Sequence, residues 1–350
     1  MKNNTISFGT VCMNRLHHIQ KTLPKNIADN ISYPNVEFVV LDYNSSDGLE
    51  EWIKNDLKEH IESGLLKYFK TEEPAFFDRS HSRNLLFMLC NGDVICNIDA
   101  DNYTGKDFAK YINQKFNEED NIFLVADTKR KYYFLRNAFG RFCVKKSNFL
   151  ALRGLDEEMK SYGSETVDFY ERLAVNGVKE VIIENTSFLD TISHGDEERI
   201  SNEYFLKSLD KLYMKYISSF ESEMLFLFKD GHFEKSKISS KIEDPFLPAA
   251  LIENTHVSGT WLQKENHLLL SLASSIEEFR SQDNTLTSSQ GVMFYLIEDK
   301  RFLFDIAKNY SFITNQQKKE KNLKNYLNIN PDSFGKGKVR TIDQKEIILN

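Results

Sequence analysis

The chain has 350 residues, of which 41% are apolar, with 27 phenylalanines and 15 tyrosines among the aromatic ones. At about 150 residues per domain this length predicts two domains, and the apolar content excludes a disordered protein. The formal net charge of −7 argues against non-specific binding of nucleic acid, which needs a basic surface.

The sequence carries no targeting signal that we recognise. No basic segment followed by an apolar run opens it, and no run of about 18 apolar residues occurs, so we expect neither a signal peptide nor a transmembrane segment. The cysteines contain no CxxC pair, which favours buried, reduced thiols; they are Cys12, Cys90, Cys96 and Cys143. We therefore expect a cytoplasmic protein that is peripheral to a membrane only through its partners.

Strands and helices are predicted to alternate over the first 200 residues. Strand candidates occupy 5–13, 36–42, 65–69, 94–99, 121–126, 131–135, 141–145 and 179–184. Helices are predicted to begin near Asn14, Asp47, residue 80, Thr104 and Ser164. Pro24 should kink or shorten the first helix, and Asp47 with Glu50 should form a capping box at the start of the second. This alternation predicts βαβ units and a largely parallel sheet.

The character of the sequence changes after about residue 220. Two segments, 224–238 and 258–272, read as β-hairpins, and the first has Asp230-Gly231 at its turn. The charged stretch 316–326 reads as a solvated helix. We therefore predict two domains, 1–218 and 219–350, of which the second is a β-rich and helical accessory region. An acceptor-binding role and a role in forming a homo-oligomer are both open for it.

Polar clusters follow three of the predicted strands, at Asn14-Arg15, Asp42 to Asp47 and Asp99-Ala100-Asp101. Parallel sheets bind ligands beyond the carboxyl ends of their strands, so these clusters are expected to meet in one crevice. Two carboxylates at i and i+2 can turn towards one cation where a strand ends. Hard oxygen ligands suit Mg²⁺ or Mn²⁺, and phosphates or water often complete such sites. A solvated turn is the alternative for an isolated DxD.

The ordered set of motifs resembles a family 2 glycosyltransferase with the GT-A fold. The motifs are Val11-Cys-Met-Asn-Arg15, Leu41-Asp-Tyr-Asn-Ser-Ser-Asp-Gly48, Ser82-Arg-Asn84, Asn91-Gly-Asp93 and Asn97-Ile-Asp-Ala-Asp-Asn102. The resemblance covers about residues 5–200. It implies an α/β fold with a Rossmann-like sheet that binds a nucleotide-diphospho-sugar, followed by a small C-terminal appendage. It also implies a nucleotide-sugar donor, expected to be a UDP-sugar, and a saccharide or glycoconjugate acceptor, as in polysaccharide biosynthesis.

The resemblance assigns donor-binding roles to a set of side chains. It places Asp42 and Asn44 at the nucleoside, with a turn and cap role as the alternative for the Asn44 to Gly48 segment. Arg83 would reach the base or the diphosphate, with a surface ion pair as the alternative. Asp99 would contact the ribose, the metal ion or both. The donor-binding set is Asn14, Arg15, Asp42, Asn44, Arg83 and Asp99.

The resemblance also assigns the metal ligands and the general base. His194, in Ser193-His-Gly-Asp196, would join Asp99 and Asp101 at the Mn²⁺ or Mg²⁺ ion. The segment from Tyr162 to Leu173 is similar to an acceptor-side segment that reads Trp-Gly-x-Glu-Asp in the family. Glu165 matches its Glu, but Thr166 stands where the family often has its catalytic Asp. Glu165 and Asp168 both stay candidates for the base.

These residues predict a single displacement with inversion, in which one carboxylate accepts the proton of the acceptor hydroxyl. Two other functions are compatible with parts of the sequence. A non-catalytic protein that binds a nucleotide-sugar or glycan on the same fold is favoured by Thr166. A nucleotidyltransferase normally has a Gly-rich, basic loop after its first strand, and Gly9 is the only glycine near that position here.

Overall fold

The computed structural model describes residues 2–127, 138–239, 250–251 and 256–350. For Asp196, Ala250 and Leu251 it describes the backbone alone. The strand predicted at 131–135 lies outside these residues. Contacts divide the chain into two compact units. The first contains residues 1–160, 164–199 and 318–350, and the second contains 161–163 and 200–317. Each unit is described by itself.

The first unit begins with alternating strands and helices, as the sequence predicts. Its strands are β1 (Ile6–Cys12), β2 (Val36–Tyr43), β3 (Leu66–Thr71), β4 (Val94–Asn97), β5 (Ile122–Val125), β6 (Phe142–Lys145) and β7 (Lys179–Ile182). Its helices are α1 (Leu16–Asn30), α2 (Leu49–Asp56), α3 (Lys58–Glu62), α4 (Arg79–Leu89), α5 (Phe108–Glu118), α6 (Lys146–Ala151), α7 (Glu165–Val175) and α8 (Asp196–Ile200). Helix α1 continues through Pro24, so this proline does not shorten it as predicted.

The second unit is built mainly from antiparallel strands. Its elements are α9 (Tyr204–Ser208), β8 (Leu209–Ser218), β9 (Glu221–Phe228), β10 (His232–Ser239), β11 (Ala250–Leu251), β12 (Val257–Lys264), β13 (His267–Ser271), β14 (Ile276–Gln282), β15 (Thr285–Ser288), β16 (Met293–Leu296) and most of α10 (Lys300–Asn322). Both predicted hairpins are present, as β9–β10 and β12–β13.

Eight of these strands close into a barrel. The order β10-β12-β13-β14-β15-β16-β8-β9 returns to β10 through the β9–β10 pairing. Strand β9 alternates between two apolar surroundings: Leu225 and Leu227 belong to one core cluster with Phe233, while Phe226 and Phe228 belong to another that includes residues of α10. A strand covered on both faces reads as a continuous apolar run, which explains Met224 to Phe228.

The boundary predicted at 218/219 differs from the structure in two ways. Strand β8 pairs with β9 and β16, so residues 209–218 belong to the second sheet. Residues 337–349 return to the first sheet as β17 (Gly337–Thr341) and β18 (Glu346–Leu349). The order of the first sheet is β18-β17-β3-β2-β1-β4-β6-β5-β7. Local patterns show single strands, whereas assignment of a strand to a sheet depends on pairing between distant residues.

The centre of the first sheet positions the candidate site. Strand β1 pairs in parallel with β2 and β4, and β2 pairs in parallel with β3. Strand β6 runs antiparallel to β4 and β5. The carboxyl ends of β1, β2 and β4 therefore lie at the same edge of the sheet.

All four cysteines are buried and free of disulfides. No described helix has the length and apolar character needed to cross a membrane.

Candidate functional site

The turns after β1 and β2 are joined by reciprocal hydrogen bonds. The Asn14 N–H donates to Ser45 Oγ at 3.0 Å, and the Ser46 N–H donates to Asn14 Oδ1 at 2.8 Å. Asn14 holds a left-handed backbone with φ of 54°. The sequence correctly predicts that these two turns meet. One side chain in each turn accepts a hydrogen bond from the backbone of the other.

Asp47 caps a different helix from the one predicted. Its Oδ2 accepts from the N–H of Leu16, the first residue of α1, at 2.7 Å. Helix α2 has Gly48 at its N-cap and no side-chain cap. The capping-box prediction for α2 is therefore wrong, because the neighbouring turn brings Asp47 to the unsatisfied amides of α1.

Asp42 is enclosed by the protein. Its side chain is fully buried, Oδ1 accepts from the Ser45 N–H at 2.7 Å, and Oδ2 accepts from the Tyr68 hydroxyl at 2.6 Å. Burial raises the pKa of Asp42 despite these hydrogen bonds. Both oxygens thus bind protein groups, one in the turn after β2 and one in β3, and the contact between Asp42 and a nucleoside stays a prediction. Asn44, with φ of 61°, donates to the Pro74 carbonyl oxygen at 2.7 Å.

Asp99 and Glu165 are bridged by one buried guanidinium. Arg83 donates through Nη2 to Asp99 Oδ1 at 3.1 Å and through Nη1 to Glu165 Oε1 at 3.0 Å. Arg83 is 4% exposed. Burial acts to raise the pKa of Asp99, but Arg83 and the Asn97 amide outweigh it and hold this pKa below its usual range. The prediction that Arg83 belongs to the site is therefore compatible with its position, although its contacts here are carboxylates.

Gly140 permits this arrangement. A Cβ atom at position 140 would lie 2.7 Å from Asp99 Oδ2 and 3.3 Å from Arg83 Nη2. The Gly140 carbonyl also accepts from the Asn97 amide at 2.9 Å, and the same amide donates to Asp99 Oδ1 at 2.9 Å. Only glycine allows the backbone to approach the carboxylate this closely. No local sequence pattern connects Gly140 to Asp99, so the sequence alone does not identify Gly140 as part of the site.

Asp101 and His194, which the resemblance assigns to the metal ion, lie side by side. His194 Nε2 lies 2.7 Å from Asp101 Oδ2, although 93 residues separate them in the chain. Backbone hydrogen bonds bring the segments together: the Ile192 N–H donates to the Asp101 carbonyl oxygen, and the Tyr103 N–H donates to the Asp190 carbonyl oxygen. The Asn102 amide donates to Asp101 Oδ1 at 2.9 Å.

The Asp101–His194 pair fits a divalent cation. A carboxylate oxygen and an imidazole nitrogen lie side by side, and each side chain is largely buried, with 12% and 7% exposure. An oxygen and nitrogen ligand set suits Mn²⁺ among the hard cations, with phosphate and water completing the coordination. Asp99, in contrast, has its Oδ1 bound to Arg83 and Asn97. The structure thus separates the two carboxylates of the DxD segment.

Asp168 lies in the core and is unsuited to the predicted role of base. It is 0% exposed and forms an ion pair of 2.7 Å with Arg172, also 0% exposed. The Asn322 amide donates to its other oxygen at 3.0 Å. Burial raises the pKa of Asp168 against the effect of these partners. A carboxylate enclosed on both oxygens has no position for an acceptor hydroxyl, so this prediction is corrected.

Arg15 forms a cluster that the sequence analysis missed. Its Nη1 donates to Glu198 Oε1 at 2.8 Å, and His17 Nε2 lies 2.7 Å from the same oxygen. The rings of His18 and His194 are 5.3 Å apart. Burial, together with the neighbouring His17 and Arg15, lowers the pKa of His18 to about 4. No short-range signal connects these residues to Glu198, which lies about 180 positions along the chain.

Part of the chain matches a known protein family. Residues 7–157 match the model described as glycosyl transferase family 2. This range contains the turns after β1 and β2, Arg83, and the Asp99 to Asp101 segment. No curated protein matches the chain.

Solved structures with related architecture match at low identity. The mannosyltransferase PcManGT from Pyrobaculum calidifontis, in complex with GDP-Man and Mn²⁺, is 16% identical with a TM-score of 0.44, over 53% of this chain and 56% of that one. TarS 1-349 of S. aureus, in complex with UDP-GlcNAc, is 17% identical with a TM-score of 0.44, over 55% of this chain and 59% of that one. The chain thus spans 56% and 59% of the lengths of these two structures.

Proposed function

Residues 7–157 match the model of glycosyl transferase family 2, and from this premise we propose that the chain transfers a sugar from a UDP-sugar to a hydroxyl of a glycan or glycoconjugate, with a divalent metal ion and with inversion. The fold is the GT-A type of α/β sheet that the sequence predicts. The observation that carries the metal-dependent part of the proposal is the 2.7 Å approach of His194 to Asp101 at the carboxyl edge of the sheet.

We propose that Asp101 and His194 hold the metal ion, Mn²⁺ or Mg²⁺. Bound there, the ion would offset the negative charge that develops on the leaving nucleoside diphosphate. Asn102 keeps the Asp101 carboxylate in place through its hydrogen bond to Oδ1. Asp99 would then face the donor through its remaining oxygen, Oδ2, with Arg83 fixing its orientation.

We propose Glu165 as the general base. It is the better of the two predicted candidates because the hydrogen bonds that its side chain accepts from Arg83 and Thr166 both reach Oε1. Arg83 Nη1 lies 3.0 Å from Oε1 and fixes the orientation of the carboxylate. The acceptor oxygen would attack the anomeric carbon as the bond to the diphosphate breaks, and the hydroxyl proton would pass to Glu165.

The test is turnover of a UDP-sugar by the full chain. We expect activity with Mn²⁺, loss of activity with EDTA, and a fall of about 10²-fold or more in Asp101→Ala, since the loss of a transition-state contact of several kcal/mol has this size. Asp56→Ala is the matched control, because Asp56 is an exposed aspartate on α2. Equal rates in all four reactions would contradict the metal-dependent mechanism.

A second function is favoured by one residue. Thr166 stands beside Glu165 where the family often has a carboxylate, which suits a protein that binds a nucleotide-sugar or a glycan without catalysis. A donor screen by thermal shift with Mn²⁺ identifies the nucleotide, since a ligand that binds the native state raises its stability. A protein that is stabilised by UDP-sugars but releases no sugar from any of them would be a binder.

A further inference from the structure

Three nitrogen-bearing side chains converge on one carboxylate oxygen. Glu198 Oε1 lies 2.8 Å from Arg15 Nη1, 2.7 Å from His17 Nε2 and 3.8 Å from His18 Nε2. Arg15 Nη2 also donates to the backbone carbonyl oxygen of Glu198. We call Arg15, His17 and His18 the basic cluster. One acidic oxygen therefore receives the side chains of three of the four positions from 15 to 18, at the start of α1.

The basic cluster lies beside the candidate metal ligands. Arg15 follows Asn14 directly after β1, and the His18 ring is 5.3 Å from the ring of His194. His18 is buried, whereas the side chain of His17 is 56% exposed. The cluster is thus partly exposed at the edge of the sheet where Asp101 lies.

The hydrogen bonds favour an anion over a second metal ion. His17, His18 and Glu198 offer ligand atoms within 4.8 Å of one another, a spacing that also suits a metal ion. However, Arg15 Nη1 lies 3.3 Å from His18 Nδ1, and a guanidinium can only donate. In this arrangement His18 Nδ1 accepts, so the ring N–H is on Nε2 and faces Glu198. With Arg15 donating to Nδ1, His18 keeps its hydrogen on Nε2, which suits an anion and offers no lone pair to a metal. His194 differs, because its Nδ1 can donate to the Gly195 carbonyl oxygen at 3.1 Å and leave Nε2 free for a metal.

Phosphate oxygens suit the donors of the basic cluster. A guanidinium fork with adjacent imidazole N–H groups gives charge-assisted hydrogen bonds of the kind that bind phosphate. The side chain of Glu198 is 38% exposed and lies on the five-residue helix α8. It supplies the negative charge that a phosphate group would otherwise bring.

We propose that the basic cluster is a phosphate-binding site for which the Glu198 carboxylate competes as an internal anion, so that phosphate binds by displacing Glu198. The proposal rests on the proposed function in one respect, namely that the phosphate belongs to the diphosphate of the donor. The apparent affinity for phosphate is then reduced by the fraction of molecules in which Glu198 occupies the cluster.

The experiment measures binding of inorganic pyrophosphate to the full chain by calorimetry, without a divalent cation. We expect Glu198→Gln to lower the Kd about tenfold, as when the Glu198-bound form outnumbers the open form by about ten to one. Glu197→Gln removes the same charge from an exposed neighbour and should change the Kd less than about twofold, because salt screens exposed charges. Arg15→Gln should weaken binding about tenfold and remove most of the gain from Glu198→Gln.

Two further measurements complete the test. Pyrophosphate should shift the imidazole NMR signals of His17 and His18 in the unmodified chain, a readout that does not depend on how any variant folds. Inorganic phosphate, measured in parallel, separates a site for a diphosphate, which binds pyrophosphate more tightly, from a site for a single phosphate group. The proposal is overturned if Glu198→Gln behaves like Glu197→Gln or if the histidine signals do not move. Failure of UDP-sugar turnover would instead contradict the proposed function alone.

Discussion

Arg83 makes Glu165 and Asp99 parts of one charged unit. The guanidinium lies between the two carboxylates, at 3.0 and 3.1 Å, and is almost completely buried. Replacing Arg83 would leave both carboxylates without a counter-charge, so its loss would not report on one of them alone. Substitution of Glu165 is the cleaner test of the proposed base.

We expect Glu165→Gln to lower kcat by about 10²- to 10⁴-fold, the usual contribution of a general base, with little change in UDP binding. The amide keeps the shape of the side chain and its hydrogen bond with Arg83 but cannot accept the proton. Turnover and UDP binding are both measured, and Glu51→Gln, an exposed glutamate on α2, is the control. Activity close to that of the unmodified chain would contradict the assignment.

A different outcome is expected for Asp168, which is buried with Arg172. Asp168→Asn leaves the Arg172 charge without its partner, and breaking a buried pair in this way costs about 3–5 kcal/mol. Urea unfolding should show this loss, and the remaining folded protein should keep its turnover. A variant of unchanged stability that has lost all activity would return Asp168 to the list of catalytic candidates.

The contrast between these two carboxylates shows what the sequence could predict at the scale of single residues. Glu165 and Asp168 lie one turn apart on nearly the same face of a predicted helix. The sequence pattern alone makes them equally good candidates for the general base. What separates them is Asn322, together with Arg172 and the packing around it. A contact with a residue more than 150 positions away leaves no trace in the local pattern.

At the scale of elements, the turns after β1 and β2 act together. Asp47 holds the start of α1, while Asn14 and Ser45 join the two turns. The positions of Arg15 and of the histidines that follow it therefore depend on residues of the second turn. The topology of a parallel sheet predicts that the turns meet, but it does not predict that Asp47 caps α1 instead of α2.

We expect Asp47→Ala to destabilise the first unit by about 1 kcal/mol, the usual cost of losing a helix cap. Because the cap serves α1 and not α2, the amide of Leu16 should exchange its hydrogen faster, while the amides of α2 should exchange at nearly the same rate. Hydrogen exchange measures both, with Asp56→Ala as the control. Faster exchange confined to α2 would contradict the observed cap.

At the scale of the whole molecule, the first unit is completed by residues that follow the barrel in sequence. Strand β17 pairs antiparallel with β3. Arg340 forms a bidentate ion pair with Glu50, with Nη1 2.8 Å from Oε1 and Nη2 2.7 Å from Oε2. The barrel sequence is therefore an insertion between parts of one sheet. The sequence predicts the hairpins within 219–350, but a hairpin such as β9–β10 occurs in both a barrel and a meander. The pairing of β8 with β16, which are far apart in the chain, distinguishes the two.

We expect Arg340→Met to lower the free energy of unfolding by about 1 kcal/mol at pH 7, a partly exposed pair being worth no more. The Arg340 guanidinium holds the pKa of Glu50 well below its usual range, against a smaller effect of burial. A carboxylate of lowered pKa contributes its full stability above the unfolded pKa of about 4.3 and loses it as the pH falls further. The difference from the unmodified chain should therefore shrink below about pH 4.

Urea unfolding at pH 7 and at pH 3 measures that difference. Lys345→Met, which removes an exposed cation near the same strands, serves as the control and should show little dependence on pH. A difference for Arg340→Met that grows on acidification would show that the ion pair with Glu50 is not what holds β17.

The return of β17 to the first sheet has a consequence for synthesis of the protein. Chains emerge from the ribosome with the N-terminal part first, so β3 stays an edge strand until residues 337–341 have been made, after the entire barrel sequence. Exposed edges invite pairing with other chains, and lysines on an edge strand oppose it. Strand β3 carries Lys67 and Lys70, which would keep nascent chains apart during the interval in which its final neighbour does not yet exist.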